Sequence, residues 1–286
     1  MTEESSAGDT VVPPLLPPTN MLYMTYEGNW LMDCSAVVLD IQTDADASTT
    51  DAVMQVSLDR TVLHAQGGGQ PTDTGTLTLK TLSADSISPT MTVQQVLLNR
   101  ETGVATHTGK LNADLKVGDA VTVSCNTENR RILSECHTAG HVVDSAMAKA
   151  GKFMEASKAY HFLDGPYVEY IGSIPIEERA QVLQDLQAAF LELVEQDIPT
   201  EIQLLSKLMA DKVCNRQAQN FDMDIFCDRR TERVRIVTVA GFPCPCGGTH
   251  VRSTADLKER AWGITGLKSK KGVVRVKYGQ NTKREE

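Results

Sequence analysis

Apolar residues come in short β-branched bursts through the first part of the chain, at residues 35–41, 53–58, 77–82, 92–98 and 120–124, separated by Gly, Asp, Asn and Pro. Short strands at regular spacing with turn residues between them predict a small β-barrel or sandwich over residues 21–125. Residues 44–51 and 83–90 read as its exposed loops. Near Asn126 the period changes. Ile132, Cys136, Val143 and Met147 fall at helical spacing, predicting a helix over 132–150 with Gly151 as its stop. Strands follow at 160–162 and 167–171 around the turn Asp164-Gly165-Pro166. A longer helix is predicted at 176–196, with a core stripe of Val182, Leu186, Ala189, Phe190, Leu193 and Val194. A short helix at 206–219, a buried-type strand at 234–239 and a closing hairpin over 262–278 that turns near Lys271-Gly272 complete the pattern. Strands and helices in this order predict an α+β fold, a small N-terminal β-barrel followed by an α+β domain over 126–286.

Composition changes this picture little. The 286 residues are 41% hydrophobic and 23% charged, ordinary for a globular protein with room for two domains. Residues 1–20 hold Pro13-Pro14 and Pro17-Pro18 among small and acidic residues, a composition that cannot build a core, and are expected to be a flexible tail. The acidic start and the lack of an apolar run of about 18 residues predict a cytoplasmic protein with no membrane span. Seven cysteines scattered without a framework fit reduced thiols. Net charge is −9, yet residues 258–286 carry nine basic side chains against three acidic ones. That reversal suits either a local RNA contact, with Lys268, Lys270, Lys271 and Arg275 as its cations, or a merely solvated hairpin.

The chemistry sits in two words. In His137-Thr138-Ala139-Gly140-His141 the histidines at i and i+4 stack on one face of the predicted helix and can address one ion. Cys246-Gly247-Gly248-Thr249-His250 has the same spacing, but its two glycines suit a tight loop. One thiolate and three imidazoles favour Zn²⁺ over the oxygen-seeking Mg²⁺ and Ca²⁺. With 6 His and 7 Cys in the chain, each word arises by chance only about 0.1–0.2 times. The missing glutamate after His137 sets the first word apart from the HExxH of metalloproteases. Cys244, flanked by prolines, reads as a bystander, and His107 as an ordinary strand or loop residue. His64, three residues before a glycine run, is a candidate for meeting substrate.

HxxxH with CxxxH, the glycine word Gln66-Gly67-Gly68-Gly69-Gln70-Pro71 with Asp73 and Gly75, Arg130-Arg131-Ile132, Tyr160-His161-Phe162, residues 165–170 and the closing Lys268-Ser269-Lys270-Lys271-Gly272 together resemble the free-standing AlaX proteins and the editing domain of alanyl-tRNA synthetases. Threonyl-tRNA synthetases carry a related domain. The resemblance runs from about Tyr23 to Tyr278. It implies a zinc-dependent hydrolase acting in trans on mischarged tRNA, chiefly Ser-tRNA(Ala) and also Gly-tRNA(Ala), with His137, His141, Cys246 and His250 as ligands. A zinc-bound water is the expected nucleophile, and no side-chain base is assigned. Gly67, Gly68, Gly69, Gln70, Thr138, His161, Gly247, Gly248 and Thr249 are the expected substrate-binding residues, and tRNA, through its aminoacylated end, is the expected partner. Ligase activity is not expected, since no aminoacylation domain precedes the barrel. Two other readings stay open: a zinc-stapled tRNA-binding module without turnover, and editing of Ser-tRNA(Thr). Four protein ligands would close the ion in the manner of a structural site, whereas catalysis keeps a position open. Gly140, costing about 1 kcal/mol at mid-helix, could leave room beside the ion. Neither the oligomeric state nor the role of the tail is legible.

Overall fold

The computed structural model describes residues 15–43, 53–80, 90–111, 114–216 and 219–280. The expected tail up to residue 14 and most of the two expected loops lie outside those residues. The chain is already ordered at Thr19, which is fully buried. Its hydroxyl donates to Leu58 O at 2.9 Å and accepts the Ala105 N–H at 3.0 Å. Asn20–Met21 then pairs in parallel with Arg60–Thr61, so Thr19 and Asn20, within the stretch 1–20 expected to be a tail, are part of the fold.

Six antiparallel strands form a closed barrel: β1 (Asp33–Thr43), β2 (Val53–Leu58), β3 (Gly75–Leu79), β4 (Thr90–Leu98), β5 (Ala105–Leu111) and β6 (Ala120–Cys125), joined in the order β1-β2-β5-β4-β3-β6. Closure leaves no unpaired edge. Alternate residues such as Val56, Leu58, Met91, Val93, Val121 and Val123 fill the interior, each contributing about 1.5–3 kcal/mol when fully buried. Strand β5 has no burst of apolar residues, because its inward positions are Ala105, His107 and Gly109.

Helix α1 (Thr127–Lys149) leaves the barrel directly. It starts five residues before the apolar stripe because Asn126 caps it, its side chain accepting the Asn129 N–H at 3.0 Å. Every residue from Leu133 to Val143 is buried. A helix buried all round is a central one. One side meets the four-stranded antiparallel sheet made by β7 (Glu155–Tyr160), β8 (Tyr167–Ile171), β12 (Trp262–Lys270) and β13 (Val273–Gln280), in the order β12-β13-β8-β7. Another meets α2 (Arg179–Glu195), whose Leu186 and Phe190 join Val142, Val143, Val274 and Val276 in one core. The remaining sheet joins β9 (Glu201–Ser206) and β11 (Phe242–Pro245) to the two sides of β10 (Arg233–Val239), with the two-residue strand Cys227–Asp228 also on β10. α3 (Lys207–Cys214) and α4 (Met223–Phe226) pack over it. The architecture is α+β, a six-stranded barrel joined to helices and two further sheets. Among the described residues no helix is long and apolar enough to cross a membrane.

A buried ion pair joins the barrel to α1. Arg130, 1% exposed, donates through Nε to Asp73 Oδ2 at 2.8 Å and through Nη2 to Val62 O at 2.5 Å. Asp73 also accepts the His64 N–H at 2.7 Å. Removing one member of such a pair strands a charge in the interior, at a cost of about 3–5 kcal/mol.

Candidate metal centre

Polar side chains on a buried helix must find partners or cost free energy. On α1 these are Ser134, His137, Thr138 and His141, and the loop 246–250 brings theirs. The loop is reached through β11, which pairs with β10 so that Cys244 lies opposite Val237 and Pro245 opposite Ile236. Two prolines are tolerated there because β11 lies at the sheet edge. His137, His141, Cys246 and His250 converge, with one donor atom of each within 4.8 Å of all the others. Cys246 Sγ lies 3.5 Å from His137 Nε2 and 3.3 Å from His250 Nε2.

The outer atoms of these rings are held. Gln70 Oε1 lies 2.7 Å from His137 Nδ1 and also accepts the Thr249 N–H at 2.9 Å, while Gln70 Nε2 donates to Thr249 Oγ1 at 2.9 Å. An amide oxygen can only accept, so His137 carries its proton on Nδ1 and presents the Nε2 lone pair to the sulfur. His250 Nδ1 lies 3.1 Å from Thr138 Oγ1, which also accepts the Val251 N–H at 3.2 Å. Below the loop, Asn29 Nδ2 and Trp30 Nε1 both donate to His250 O, at 2.8 and 3.0 Å. Arg235, buried, donates to Cys246 O at 2.7 Å and Met24 O at 2.9 Å. Gly248 is required here: a Cβ would stand 2.2 Å from His137 ring atoms and 2.5 Å from Gln70 Oε1.

Burial sets the protonation of the cluster. It pushes the His141 imidazole down to about 4, and pushes His137 and His250 well below the ordinary value, with the neighbouring histidines adding to the effect. The same burial raises the Cys246 thiol, opposed by the Arg235 charge and the Gly248 N–H. Without a cation the group is therefore three neutral rings and a thiol. Uptake of a divalent ion needs only the thiol proton to leave.

The glycine word makes a two-residue turn. Gly67 and Gln70 exchange N–H···O bonds of 3.2 and 3.0 Å, and Gly68 and Gly69 both have positive φ, +59° and +79°. This is the primed hairpin turn that glycine allows. At Gly69 a Cβ would stand 2.6 Å from Ala159 O, and Gly69 O accepts the His161 N–H at 2.9 Å. His161 is thereby laid on His137, ring centroids 4.1 Å apart, with Nδ1 2.5 Å from Tyr278 Oη. The space beside Gly140 is already filled. An added Cβ there would meet His161 Cε1 at 2.4 Å and Tyr278 Oη at 2.8 Å, so the gap serves close packing of His161 and leaves no vacancy beside an ion.

The expected substrate-binding residues divide into two sets. Gln70, Thr138 and Thr249 are fully buried with their polar atoms engaged inside the cluster. Their polar atoms hold the side chains and loop of the candidate donor cluster in place. Gly68 and Gly247 are exposed, and Gly67 is half-buried. His64 is also buried, its Nδ1 3.1 Å from Pro71 O, and braces the glycine turn. His107 lies inside the barrel between Val56 O and Thr61 Oγ1, at 3.2 and 2.9 Å. Lys268, Lys270 and Lys271 are exposed on the last hairpin, whereas Arg275 is held by Glu169 at 2.6 Å and lies 4.1 Å over the Tyr167 ring. Sequence reasoning missed Asn29, Trp30 and Arg235. Only Arg235, a charge inside the apolar run 234–239, left a signal.

Residues 234–277 match the family described as the threonyl and alanyl tRNA synthetase second additional domain. The chain is similar over 85% of its length to the alanine–tRNA ligases of Mesoplasma florum, at 29% identity, and Halobacterium salinarum, at 28%. It is 28% identical to that of Streptomyces avermitilis over 74% of its length. The chain spans about a quarter of each relative's length, 26%, 24% and 22% respectively.

Proposed function

We propose that the chain, similar over most of its length to alanine–tRNA ligases and matching the threonyl and alanyl tRNA synthetase second additional domain over residues 234–277, is an AlaX-like editing protein, a zinc-dependent deacylase of mischarged aminoacyl-tRNA with Ser-tRNA(Ala) the foremost substrate and Gly-tRNA(Ala) a second. The observation that carries the reading is the spacing of the donors. Zn–S of about 2.3 Å and Zn–N of about 2.0 Å at the tetrahedral angle put sulfur and nitrogen about 3.5 Å apart. The Cys246 Sγ to Nε2 distances are 3.5 and 3.3 Å. One soft sulfur and three ring nitrogens, neutral and turned inward, are also the donor chemistry zinc takes and magnesium refuses.

His137, His141, Cys246 and His250 would hold the ion, which when bound supplies a Lewis acid for the ester carbonyl or for a water. The rest of the work falls to the protein. Gln70 fixes the tautomer of His137, and Thr138 holds the outer nitrogen of His250, so that both rings stay aimed at one point. Exposed Gly68 and half-buried Gly67, without side chains, would let the terminal ribose and its ester approach the backbone. Serine and alanine differ by one hydroxyl, which a synthetase pocket rejects poorly, so a second site that reads the hydroxyl adds selectivity. Lys268, Lys270 and Lys271 offer cations for the phosphates of the acceptor stem.

A second reading is favoured by the donor count itself. Four protein ligands make a closed set, as in structural zinc sites, and would suit a tRNA-binding module without turnover. One assay decides between them. The protein is incubated with Ser-tRNA(Ala), Ala-tRNA(Ala) and Ser-tRNA(Thr), and ester loss is followed. Accelerated loss of serine from Ser-tRNA(Ala), abolished together with bound zinc by Cys246→Ala, is the expected result. Unaccelerated decay of every substrate by zinc-loaded protein overturns the enzyme reading in favour of the module, and preference for Ser-tRNA(Thr) overturns the substrate assignment.

A further inference from the structure

Of the three imidazoles in the cluster, two have their outer nitrogens fixed, His137 by Gln70 at 2.7 Å and His250 by Thr138 at 3.1 Å. The third does not. His141 Nδ1 is a buried polar atom with no hydrogen-bond partner, and an orphaned ring N–H in the interior costs about 1–3 kcal/mol. Metal-bound histidines almost always give that second N–H to a carboxylate, a carbonyl or water, and the acceptor fixes which nitrogen faces the metal.

Asp144 stands beside His141. It lies three residues on from His141 along α1, on the same face. One of its carboxylate oxygens, a ring nitrogen of His141 and Cys244 Sγ all fall within 4.8 Å of one another. The carboxylate is itself held, because Tyr170 of β8, 1% exposed, donates its hydroxyl to Asp144 Oδ1 at 2.6 Å. The arrangement repeats, with a charged acceptor, what Gln70 and Thr138 do for the other two rings.

Resting on the reading that the cluster holds zinc, we propose that Asp144 is the positioning residue for His141: its carboxylate accepts the Nδ1–H, locks the ring in the tautomer that presents Nε2 to the ion, and is itself steadied by Tyr170. Cys244, the other group beside His141, is a far weaker acceptor as a thiol. Asp144 stands outside the four-donor group of His137, His141, Cys246 and His250. Its effect therefore appears in how tightly and in what geometry metal is bound.

The test uses the full chain with zinc and cobalt. Zinc affinity is measured by chelator competition, metal content by stoichiometry, and ligand geometry by the visible d–d bands of the Co²⁺ form. Asp144→Ala is expected to weaken zinc binding about 10–100-fold and to shift the d–d envelope, with the thiolate-to-cobalt charge-transfer band retained. Asp144→Asn, isosteric and still an acceptor through its amide oxygen, is expected to fall between wild type and Asp144→Ala, and it decides the matter should the alanine variant not fold. Tyr170→Phe is expected to lose affinity by a smaller factor. Wild-type affinity and an unshifted spectrum in folded Asp144→Ala or Asp144→Asn overturn the inference. So does a wild-type stoichiometry of two zinc ions per chain that falls to one in Asp144→Ala, which would make Asp144 a ligand of a second ion alongside His141 and Cys244. A wild-type chain that takes up neither metal overturns the zinc reading beneath it, an outcome separate from either of these.

Discussion

Replacing Gln70 by alanine removes the one side chain that binds the glycine turn, helix α1 and the cysteine loop together. Gln70 is fully buried, and its Oε1 accepts both the His137 Nδ1–H at 2.7 Å and the Thr249 N–H at 2.9 Å. Truncation leaves two buried donors without an acceptor, at about 1–3 kcal/mol each. The Thr249 hydroxyl loses its bond from Gln70 Nε2 but keeps Ser134 Oγ at 2.8 Å, so it adds little. The expected destabilisation is about 2–6 kcal/mol, toward the lower end if a water enters the space vacated. Urea unfolding in the presence of chelator keeps metal affinity out of the measurement. Tryptophan fluorescence is a suitable probe because Trp30 is bonded to His250 O. Zinc affinity, measured separately, should fall about 10–100-fold, since the His137 tautomer is no longer fixed. A Gln70→Ala protein within about 0.5 kcal/mol of wild type, the ordinary scatter of a surface change, would refute the claim that Gln70 supports the centre.

Gly140→Ala sets helix propensity against packing. Alanine is better in a helix by about 1 kcal/mol, but its Cβ would meet His161 Cε1 at 2.4 Å, and overpacking costs about 1–3 kcal/mol. The midpoint of thermal unfolding should therefore drop, and a rise would show that His161 and Tyr278 yield freely. His107 makes the barrel acid-sensitive. Burial lowers it to about 4 from 6.5, so below pH 6.5 the unfolded chain takes up a proton that the folded chain refuses. Its contribution is present above 6.5 and is lost as pH falls toward 4, by about 1.4 kcal/mol per unit. In metal-free protein His107→Phe should flatten the fall in urea midpoint between pH 6.5 and 4.5, and a slope parallel to wild type would count against it. Lys270→Ala with Lys271→Ala should weaken tRNA binding and reduce the slope of log affinity against log salt by about 1–2, leaving zinc affinity unchanged. An unaltered slope would take that turn off the RNA surface.

That His137, His141, Cys246 and His250 converge was legible, because residue identity and an i, i+4 spacing are sequence properties. What steadies the ligands was not legible in that way. Gln70 and Thr138 were read as contacts for substrate, since nothing in the chain order shows that their polar atoms meet His137 Nδ1 and His250 Nδ1. Fold elements failed where pattern and burial part company. Strand β5 hides its inward face in Ala105, His107 and Gly109, and β11 carries two prolines that argue against a strand until its edge position is known. Helix α1 was placed late because its first turn is polar and is set by the Asn126 cap. Strand β7 ends at Tyr160, short of the predicted 160–162, because His161 turns its N–H to Gly69 O.

X-ray absorption at the zinc K-edge of the loaded protein tests the account most directly. One sulfur at about 2.3 Å and three nitrogens at about 2.0 Å, with the sulfur lost in Cys246→Ala, is the first shell that convergence of the two words requires. A shell of nitrogen and oxygen without sulfur in the wild-type protein would contradict it.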